Sequence, residues 1–416
     1  MAIIPGRIAE TSRFSLTPKL LASVSYLNVT TDHQLQQYCR QMAGCEWIAF
    51  DTEFVSERTY RPVLCLVQVA TDEGLAMLDA LAIEEMAPFW EAVAEPGHET
   101  IVHAGRGELE FCLRAIGRRP AGLFDVQIAA GLVGVEYPAG FGTLLFKLLG
   151  ETPKKGETRT DWRRRPLSQR QIEYALDDVR YLPAIRDTLR GRLEQLGRAG
   201  WLQDEMAAWQ DEVETALSRE QWRRVSGNSG LSRRSLAIVR ELWRWRDAEA
   251  RRRDCPPRRV LRDDLIVELA KRQTAELKRI GAVRGMERGD LKRLLPKIAQ
   301  RIEEALALPE QECPKSARPE SVPQIPVLGQ FLFAALGSIC RQQDLAPGLV
   351  GTPSDVRELI TFRTGHASGN RPPRLAQGWR AEVVGQLFDD LLAGKKAIRI
   401  SDPTSKHPLV FEPTDR

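Results

Sequence analysis

The segment Trp47-Ile-Ala-Phe-Asp-Thr-Glu-Phe54 decides the fold, because it is an apolar run that ends in two carboxylates. On a β-strand, Asp51 and Glu53 stand two residues apart and project from the same face. Two like charges at the end of an apolar strand repel each other and lose solvation, and a divalent cation between them removes that penalty. The segment therefore predicts a cation site, although an acidic strand end facing solvent is an alternative that it leaves open.

Further strand-like runs surround this segment. Val63–Ala70 and Leu75–Asp79 follow it across short polar turns, which is typical of an antiparallel meander. A fourth apolar run, Thr100–His103, precedes a helical pattern over Gly107–Ile116. Strands followed by alternating strands and helices indicate a mixed α/β sheet flanked by helices. Helices are also predicted at Val29–Gly44, Leu123–Val133 and Gly142–Leu149, and from Ser168, which stands in capping-box register with Gln171.

Two helices carry further groups of interest. On the helix from Ser168, Tyr174 and Asp178 share one face, whereas Asp177 points about 100° away and is the weaker candidate ligand. Glu108 lies in the first turn after the fourth strand, where a carboxylate can point towards the strand's end. Each element alone is also compatible with an ordinary surface helix.

Taken in order, these elements resemble the DEDD exonuclease superfamily and, within it, the ribonuclease D family. The tyrosine subclass is indicated, because the histidine subclass would carry His where this chain has Glu173. The matching segments are Asp51-Thr-Glu-Phe54, Glu57-Arg-Thr-Tyr-Arg-Pro62, Leu66-Val-Gln68, His103-Ala-Gly105, Leu109-Glu110, Leu123-Phe-Asp-Val-Gln-Ile-Ala-Ala130, Thr160-Asp-Trp162, Arg165-Pro-Leu167 and Tyr174-Ala-Leu-Asp-Asp178.

The resemblance implies a ribonuclease-H-like α/β domain that hydrolyses nucleic acid from its 3′ end and releases 5′-monophosphates. It implies two divalent metal ions, Mg²⁺ or Mn²⁺, and a tyrosine, Tyr174, that orients the attacking water. The metal ligands it implies are Asp51, Glu53, Glu108 and Asp178.

One residue departs from the family's pattern, which carries Asp where this chain has Glu108. The longer side chain puts the affinity for the second metal in question. Asp125, the other acid nearby, is interpreted as structural. Thr52, Phe54 and His103 flank the carboxylates and are predicted to contact the terminal nucleotide.

Positive charge is concentrated between Arg219 and Leu308, with 24 Lys and Arg against 13 Asp and Glu, whereas the whole chain has a net charge of +4. This imbalance indicates a polyanion-binding module, a solvated basic surface being the alternative. Residues 236–308 resemble the HRDC domain, as the motifs Leu242-Trp-Arg-Trp-Arg246 and Leu261-Arg-Asp-Asp-Leu265 illustrate. Trp243 and Trp245 point about 200° apart, so they cannot face one core. The predicted phosphate contacts are Arg251, Arg252, Arg253, Arg258 and Arg259.

The expected domains are an arm (1–25), an exonuclease domain (26–217) and an HRDC domain (218–308), followed by a linker rich in Pro, Glu and Ser (309–326). The remaining segment (327–416) resembles a divergent second HRDC-like helical domain in Gly378-Trp-Arg380 and Leu392-Ala-Gly-Lys-Lys396. This segment is expected to hold helices at Val327–Cys340 and Trp379–Leu392 and an extended hairpin within Ala397–Phe411.

The leading hypothesis is a 3′→5′ exoribonuclease acting on RNA, tRNA precursors being the family's characteristic substrate. A DNA exonuclease and a decayed RNA-binding protein, suggested by Glu108, are the alternatives. No membrane span of roughly 18 apolar residues or secretory signal is evident. Seven cysteines without a C-x-x-C pair indicate reduced thiols. A cytoplasmic monomer is therefore expected.

Overall fold

The computed structural model describes residues 25–152, 160–315, 322–367 and 370–414, so the predicted arm lies outside the described residues except for Ser25. In this part of the chain, six strands form one sheet in the order β1-β4-β3-β2-β5-β6. β2, β3 and β4 are the predicted antiparallel meander, whereas β1–β4, β2–β5 and β5–β6 pair in parallel. The predicted mixed sheet is confirmed. Its strands are β1 (Leu27–Val29), β2 (Trp47–Val55), β3 (Val63–Thr71), β4 (Gly74–Leu78), β5 (Glu99–Val102) and β6 (Leu123–Asp125).

Helices cover this sheet and build the hydrophobic core on both faces. The register of the sheet sets Asp51 of β2 opposite Gln68 of β3, and the pairing shifts by a bulge between Glu53 and Phe54. Bulges of this kind re-aim side chains beside functional sites. The helices are α1 (Asp32–Met42), α2 (Ala87–Ala94), α3 (Arg106–Ile116), α4 (Val126–Leu132), α5 (Phe141–Leu149), α6 (Gln169–Arg180), α7 (Leu182–Gln195) and α8 (Ala199–Ser218).

Two predicted helices begin too early. The helix predicted at Val29–Gly44 is wrong in its first residues, because Leu27–Val29 is strand β1 and the Thr31 side chain caps α1. The helix predicted at Leu123–Val133 is wrong for Leu123–Asp125, which is strand β6 paired with β5. Both strands are three residues long, too short for a period of two to show in the sequence.

The basic region folds into helices, as predicted: α9 (Arg233–Arg252), α10 (Pro257–Val260), α11 (Asp263–Arg272), α12 (Leu277–Gly281), α13 (Gly289–Lys292) and α14 (Leu295–Ala307). The sequence pattern over 289–306 predicts a single helix, and this prediction is wrong, because the helix is interrupted between α13 and α14. Pro296 lies in the first turn of α14, where a missing N–H costs nothing, and it could not continue a helix from α13. Trp245 is buried in this region's core, whereas Trp243 is half-buried.

The C-terminal region contains α15 (Gln324–Gln342), α16 (Pro347–Val350), α17 (Pro353–Arg363), α18 (Gly378–Arg380), a π-helical turn (Ala381–Gly385) and α19 (Gln386–Leu392). The predicted hairpin is present as β7 (Lys396–Ile400) paired antiparallel with β8 (Leu409–Pro413). The apolar helix begins at Gln324, three residues before the prediction, and 316–321 of the predicted linker lie outside the described residues. The helix predicted over 379–392 is interrupted by the π-helical turn.

The C-terminal region shares one hydrophobic core with the exonuclease fold, joining Leu336 and Leu349 to Ala129 and other residues of α4. At its centre, Arg380 donates two hydrogen bonds to Glu205 of α8, at 2.6 and 2.8 Å, and both side chains are buried. Helix α15 is long and apolar enough to span a membrane by length and composition alone. One side of the helix, including Leu332, Leu336 and Ile339, is buried in this core, whereas Val327 and Phe331 are 68% and 54% exposed.

Candidate active site

Three carboxylates meet on one face of the sheet, where α6 packs against the interior strand β2. Asp51, Glu53 and Asp178 each offer an oxygen, and these oxygens lie within 4.8 Å of one another. The strand supplies the first two from one face, and α6 supplies the third. Asp177 is buried elsewhere and forms an ion pair with Arg180 at 2.8 Å. The structure thus brings together the three residues that strand and helix periodicity select.

Hydrogen bonds hold the start of helix α6 and the segment that precedes it. Ser168 and Gln171 form the predicted capping box, and Gln171 also donates to Thr160 at 3.1 Å. Just before the helix, Arg165 donates to both carboxylate oxygens of Asp79, at 2.5 and 2.7 Å. These contacts tie the start of α6 to the sheet, so the orientation of Asp178 relative to β2 is set by the fold.

Glu108 lies beside the cluster rather than within it. It is buried at the first turn of α3, and its Oε1 accepts a hydrogen bond of 2.6 Å from the Thr52 hydroxyl. Thr52, predicted to contact the nucleotide, is itself buried and holds Glu108. Asp125 accepts hydrogen bonds from the backbone N–H groups of Ala104 and Gly105, at 3.1 and 2.9 Å. It thereby shapes the turn into α3, in agreement with its structural interpretation.

Burial and mutual repulsion raise the pKa values of these acids. Burial is the largest cause in every case. The charges of Asp51, Asp178 and Glu108 contribute further to the pKa of Glu53, which rises to about 9. The charge of Asp178 adds to the raised pKa of Asp51, and the charge of Asp51 adds to that of Glu108. These buried carboxyl groups repel one another when they are ionised, and a bound cation would favour their ionised forms, so the site is suited to a cation.

Two polar side chains complete the cluster. Burial, then the negative charge of Asp178, raises the pKa of Tyr174 above its ordinary value of 10, so its hydroxyl remains a proton donor at neutral pH. Gln68 is fully buried and donates from Nε2 to Oδ2 of Asp51 at 2.9 Å, while its Oε1 has no partner among the described residues. Sequence reasoning included Gln68 in a motif but assigned it no role. Its position opposite Asp51 depends on strand register.

Phe54 and His103, the other residues predicted to contact the nucleotide, differ in their exposure and in their protein partners. Phe54 is 39% exposed, next to Glu53, and packs edge-on against Phe111. A ring nitrogen of His103 lies 2.9 Å from the Ala139 carbonyl oxygen, so that nitrogen already has a protein partner. Their contacts with a nucleotide remain predictions.

The three consecutive arginines lie at the end of α9. Arg252 and Arg253 both form ion pairs with Glu249, whose carboxylate offsets part of their positive charge. Arg251 lies over the ring of Tyr60, 5.5 Å from its centroid, and so bridges the helical region and the exonuclease fold. Their phosphate contacts also remain predictions.

The sheet topology and this acidic cluster define a 3′→5′ exonuclease. A family model described as 3′-5′ exonuclease matches residues 26–194, and a second, described as HRDC domain, matches residues 235–302. Ribonuclease D of Granulibacter bethesdensis is 33% identical over 363 residues, covering 86% of this chain and 90% of that relative. Ribonuclease D of Acidiphilium cryptum is 34% identical over 378 residues, covering 89% and 94%.

A solved structure supports the same assignment. The crystal structure of Escherichia coli RNase D, described as an exoribonuclease involved in structured RNA processing, matches with a TM-score of 0.79 and 29% identity, covering 89% of this chain and 99% of that one. The chain belongs to the ribonuclease D family, and it is accordingly a 3′→5′ exoribonuclease.

Substitution of Gln68 tests how the Asp51 carboxylate is positioned. Gln68→Met removes the donor to Asp51 while nearly conserving volume, so we expect metal affinity to fall roughly 10- to 100-fold, as for other groups that orient a ligand. Isothermal titration with Mn²⁺ measures this directly. Thr71→Val, at the end of the same strand, is the control; its hydroxyl accepts from the Glu73 N–H at 3.3 Å, and the substitution should leave affinity unchanged. Equal affinities for both variants would show that Gln68 only fills space.

Proposed function

We propose that this enzyme removes nucleotides one at a time from the 3′ ends of RNA, as 5′-monophosphates, with two divalent cations, Mg²⁺ or Mn²⁺. The observation that supports this most directly is the meeting of Asp51, Glu53 and Asp178 oxygens within 4.8 Å. Carboxylate oxygens are the ligands that these hard cations prefer, and the repulsion within the cluster is what a cation would relieve. The residues present therefore fit the metals that the family implies.

Each residue then has a role. Asp51, Glu53 and Asp178 would hold one ion, and Asp51 with Glu108 would hold the other. When bound, such ions lower the pKa of water and offset charge that develops on the phosphate and the leaving oxygen. Tyr174 would orient the attacking water by hydrogen bonding, since its raised pKa makes it a poor base. The exposed ring of Phe54 would contact the terminal nucleotide.

Glu108 in place of the family's Asp is compatible with catalysis. The side chain is buried and held by the Thr52 hydroxyl. It is near enough to the cluster that its charge raises the pKa of Glu53 and that the charge of Asp51 raises its own pKa. A decayed site would have no need for this fixed arrangement. The proposal therefore favours an active enzyme over an RNA-binding protein.

We further propose precursor tRNAs or other structured RNAs with single-stranded 3′ tails as substrates, and a monomeric enzyme of the cytoplasm. The basic HRDC domain supports a structured polyanion, because phosphate contacts position a nucleic acid without requiring one sequence. The C-terminal region, as a second HRDC-like domain, would add to the same surface.

A time course on a 5′-labelled, tRNA-like RNA with a 3′ tail tests the proposal. With Mn²⁺ at low salt, we expect a ladder of products shortened by single nucleotides. A matched DNA tail should be degraded much more slowly. Faster degradation of the DNA would identify a DNA exonuclease instead, and binding without any shortening would indicate a decayed site.

A further inference from the structure

A cleft of about 870 Å³ lies between the exonuclease domain and the HRDC domain. One wall carries Tyr60 and Arg61, in the turn between β2 and β3, and Arg114, in the last turn of α3. The other wall is formed by residues 217–221, 224 and 225 and by α9, including Trp243. This volume is within the range of sites that hold small ligands, so it suits a short single strand rather than a duplex.

The cleft has a strong excess of positive charge. Among its described lining residues, eight are arginines and three are carboxylates. Five of these arginines form ion pairs with described residues. Arg61, Arg219 and Arg224 are exposed and form none within the described ranges. Three uncompensated guanidinium groups facing one cleft are suited to phosphates.

Aromatic surface accompanies this charge. Trp243 packs partly on the HRDC core and partly lines the cleft. The Tyr60 ring lies in the opposite wall beneath Arg251. Cationic grooves with aromatic platforms are the usual means of holding single-stranded nucleic acid without sequence preference.

The two walls are held at a fixed separation by Tyr60. Its hydroxyl donates to Oδ1 of Asp247 at 2.9 Å, and its backbone N–H donates to Oδ1 of Asp254 at 3.1 Å. Asp247 and Asp254 lie at the C-terminal end of α9 and just beyond it. The cleft is therefore preformed, which lowers the entropic cost of binding.

Helix α3 connects the cleft to the catalytic carboxylates. Gly107, Phe111 and Arg114 lie within about 60° of one another around the helix, so they form one face. Phe54 contacts this face: its ring lies 5.5 Å from that of Phe111, and its Cε1 would be 3.6 Å from a Cβ at position 107. From Gly107 to Arg114 the face is only about 10 Å long.

We propose that this cleft binds the single-stranded 3′ tail of the RNA a few nucleotides upstream of the scissile phosphate. Arg61, Arg219 and Arg224 contact successive phosphates, and Trp243 stacks on a base. The inference rests on the proposed function, because it assigns the path by which the same substrate reaches the same site. It places phosphate contacts on arginines without ion pairs rather than on Arg252, which pairs with Glu249.

A binding experiment compares two triple variants with the same change in charge. Arg61→Ala/Arg219→Ala/Arg224→Ala alters the cleft. Lys292→Ala/Arg293→Ala/Lys297→Ala alters three exposed cations of the same domain that lie outside it. With a fluorescent RNA of about twelve nucleotides in EDTA, the cleft variant should bind roughly 10- to 100-fold more weakly. The slope of log affinity against log salt should fall by about 2, at about 0.7 per phosphate.

Activity assays separate this inference from the proposed function. The cleft variant should lose kcat/KM on the tailed RNA through a higher KM, while hydrolysis of a dinucleotide, too short to reach the cleft, stays unchanged. Equal losses in the two triple variants, no loss in either, or an equal loss on the dinucleotide would overturn the cleft assignment. A blunt hairpin that competes as well as the tail would also overturn it. If the wild type hydrolyses no RNA, the proposed function fails, and the binding comparison still tests the cleft.

Discussion

Asp178→Asn is expected to lower kcat by about a thousandfold or more. The substitution keeps the size of the side chain but removes one of three carboxylates whose oxygens lie within 4.8 Å of one another. A cation held there supplies several kcal/mol of charge stabilisation, and each 1.36 kcal/mol corresponds to a factor of ten in rate, so losing about 4 kcal/mol gives this size of effect. The measurement is the initial rate of shortening of a 5′-labelled, 3′-tailed RNA with saturating Mn²⁺.

The neighbouring residue is a matched control. Asp177→Asn removes the same charge from the preceding position of α6, where the carboxylate forms an ion pair with Arg180 instead of facing Asp51. We expect its rate to stay within a few-fold of the wild type, with some loss of thermal stability. Inactivation by Asp177→Asn and not by Asp178→Asn would mean that the other face of α6 carries the ligand.

The local geometry of this site could be predicted because it depends on two periodicities. A period of two on β2 places Asp51 and Glu53 together, and a spacing of four on α6 places Tyr174 with Asp178. Both are properties of one element, so the sequence contains them in full. The resemblance to a known family then indicated that the two elements face each other.

Contacts between elements could not be predicted in this way. The hydrogen bond from Gln68 to Asp51 depends on the register of β3 against β2, and the one from Thr52 to Glu108 depends on how α3 meets the sheet. The partners of the charged side chains could not be predicted from the sequence either. The basic block of residues 219–308 predicted a surface for polyanions, yet Glu249 neutralises Arg252 there, and Arg61, from outside the block, is without an ion pair in the described structure.

Metal binding should offset the loss of stability that the metal-free protein shows as pH rises. In the metal-free protein the folded-state pKa of Glu53 is about 9, compared with 4.5 for an ordinary Glu, and burial raises those of Asp51 and Asp178 as well. Between these values the folded state holds protons that the unfolded state has released. The free energy of unfolding therefore decreases as pH rises from about 5 to about 9. A cation favours the charged carboxylates, so its binding releases protons and strengthens with pH.

Thermal unfolding with EDTA or with Mg²⁺, at about pH 6 and about pH 8.5, tests this coupling. In EDTA the Tm should be lower at the higher pH, and the increase in Tm caused by Mg²⁺ should be larger there. At about a thousand times its Kd, the ion adds about 4 kcal/mol of stability. Asp51→Asn, which removes the carboxylate shared by both proposed ions, should lose most of the Mg²⁺ response at either pH. An equal Mg²⁺ response at the two pH values would contradict the prediction, because protons would then not compete with the cation for Asp51, Glu53 and Asp178.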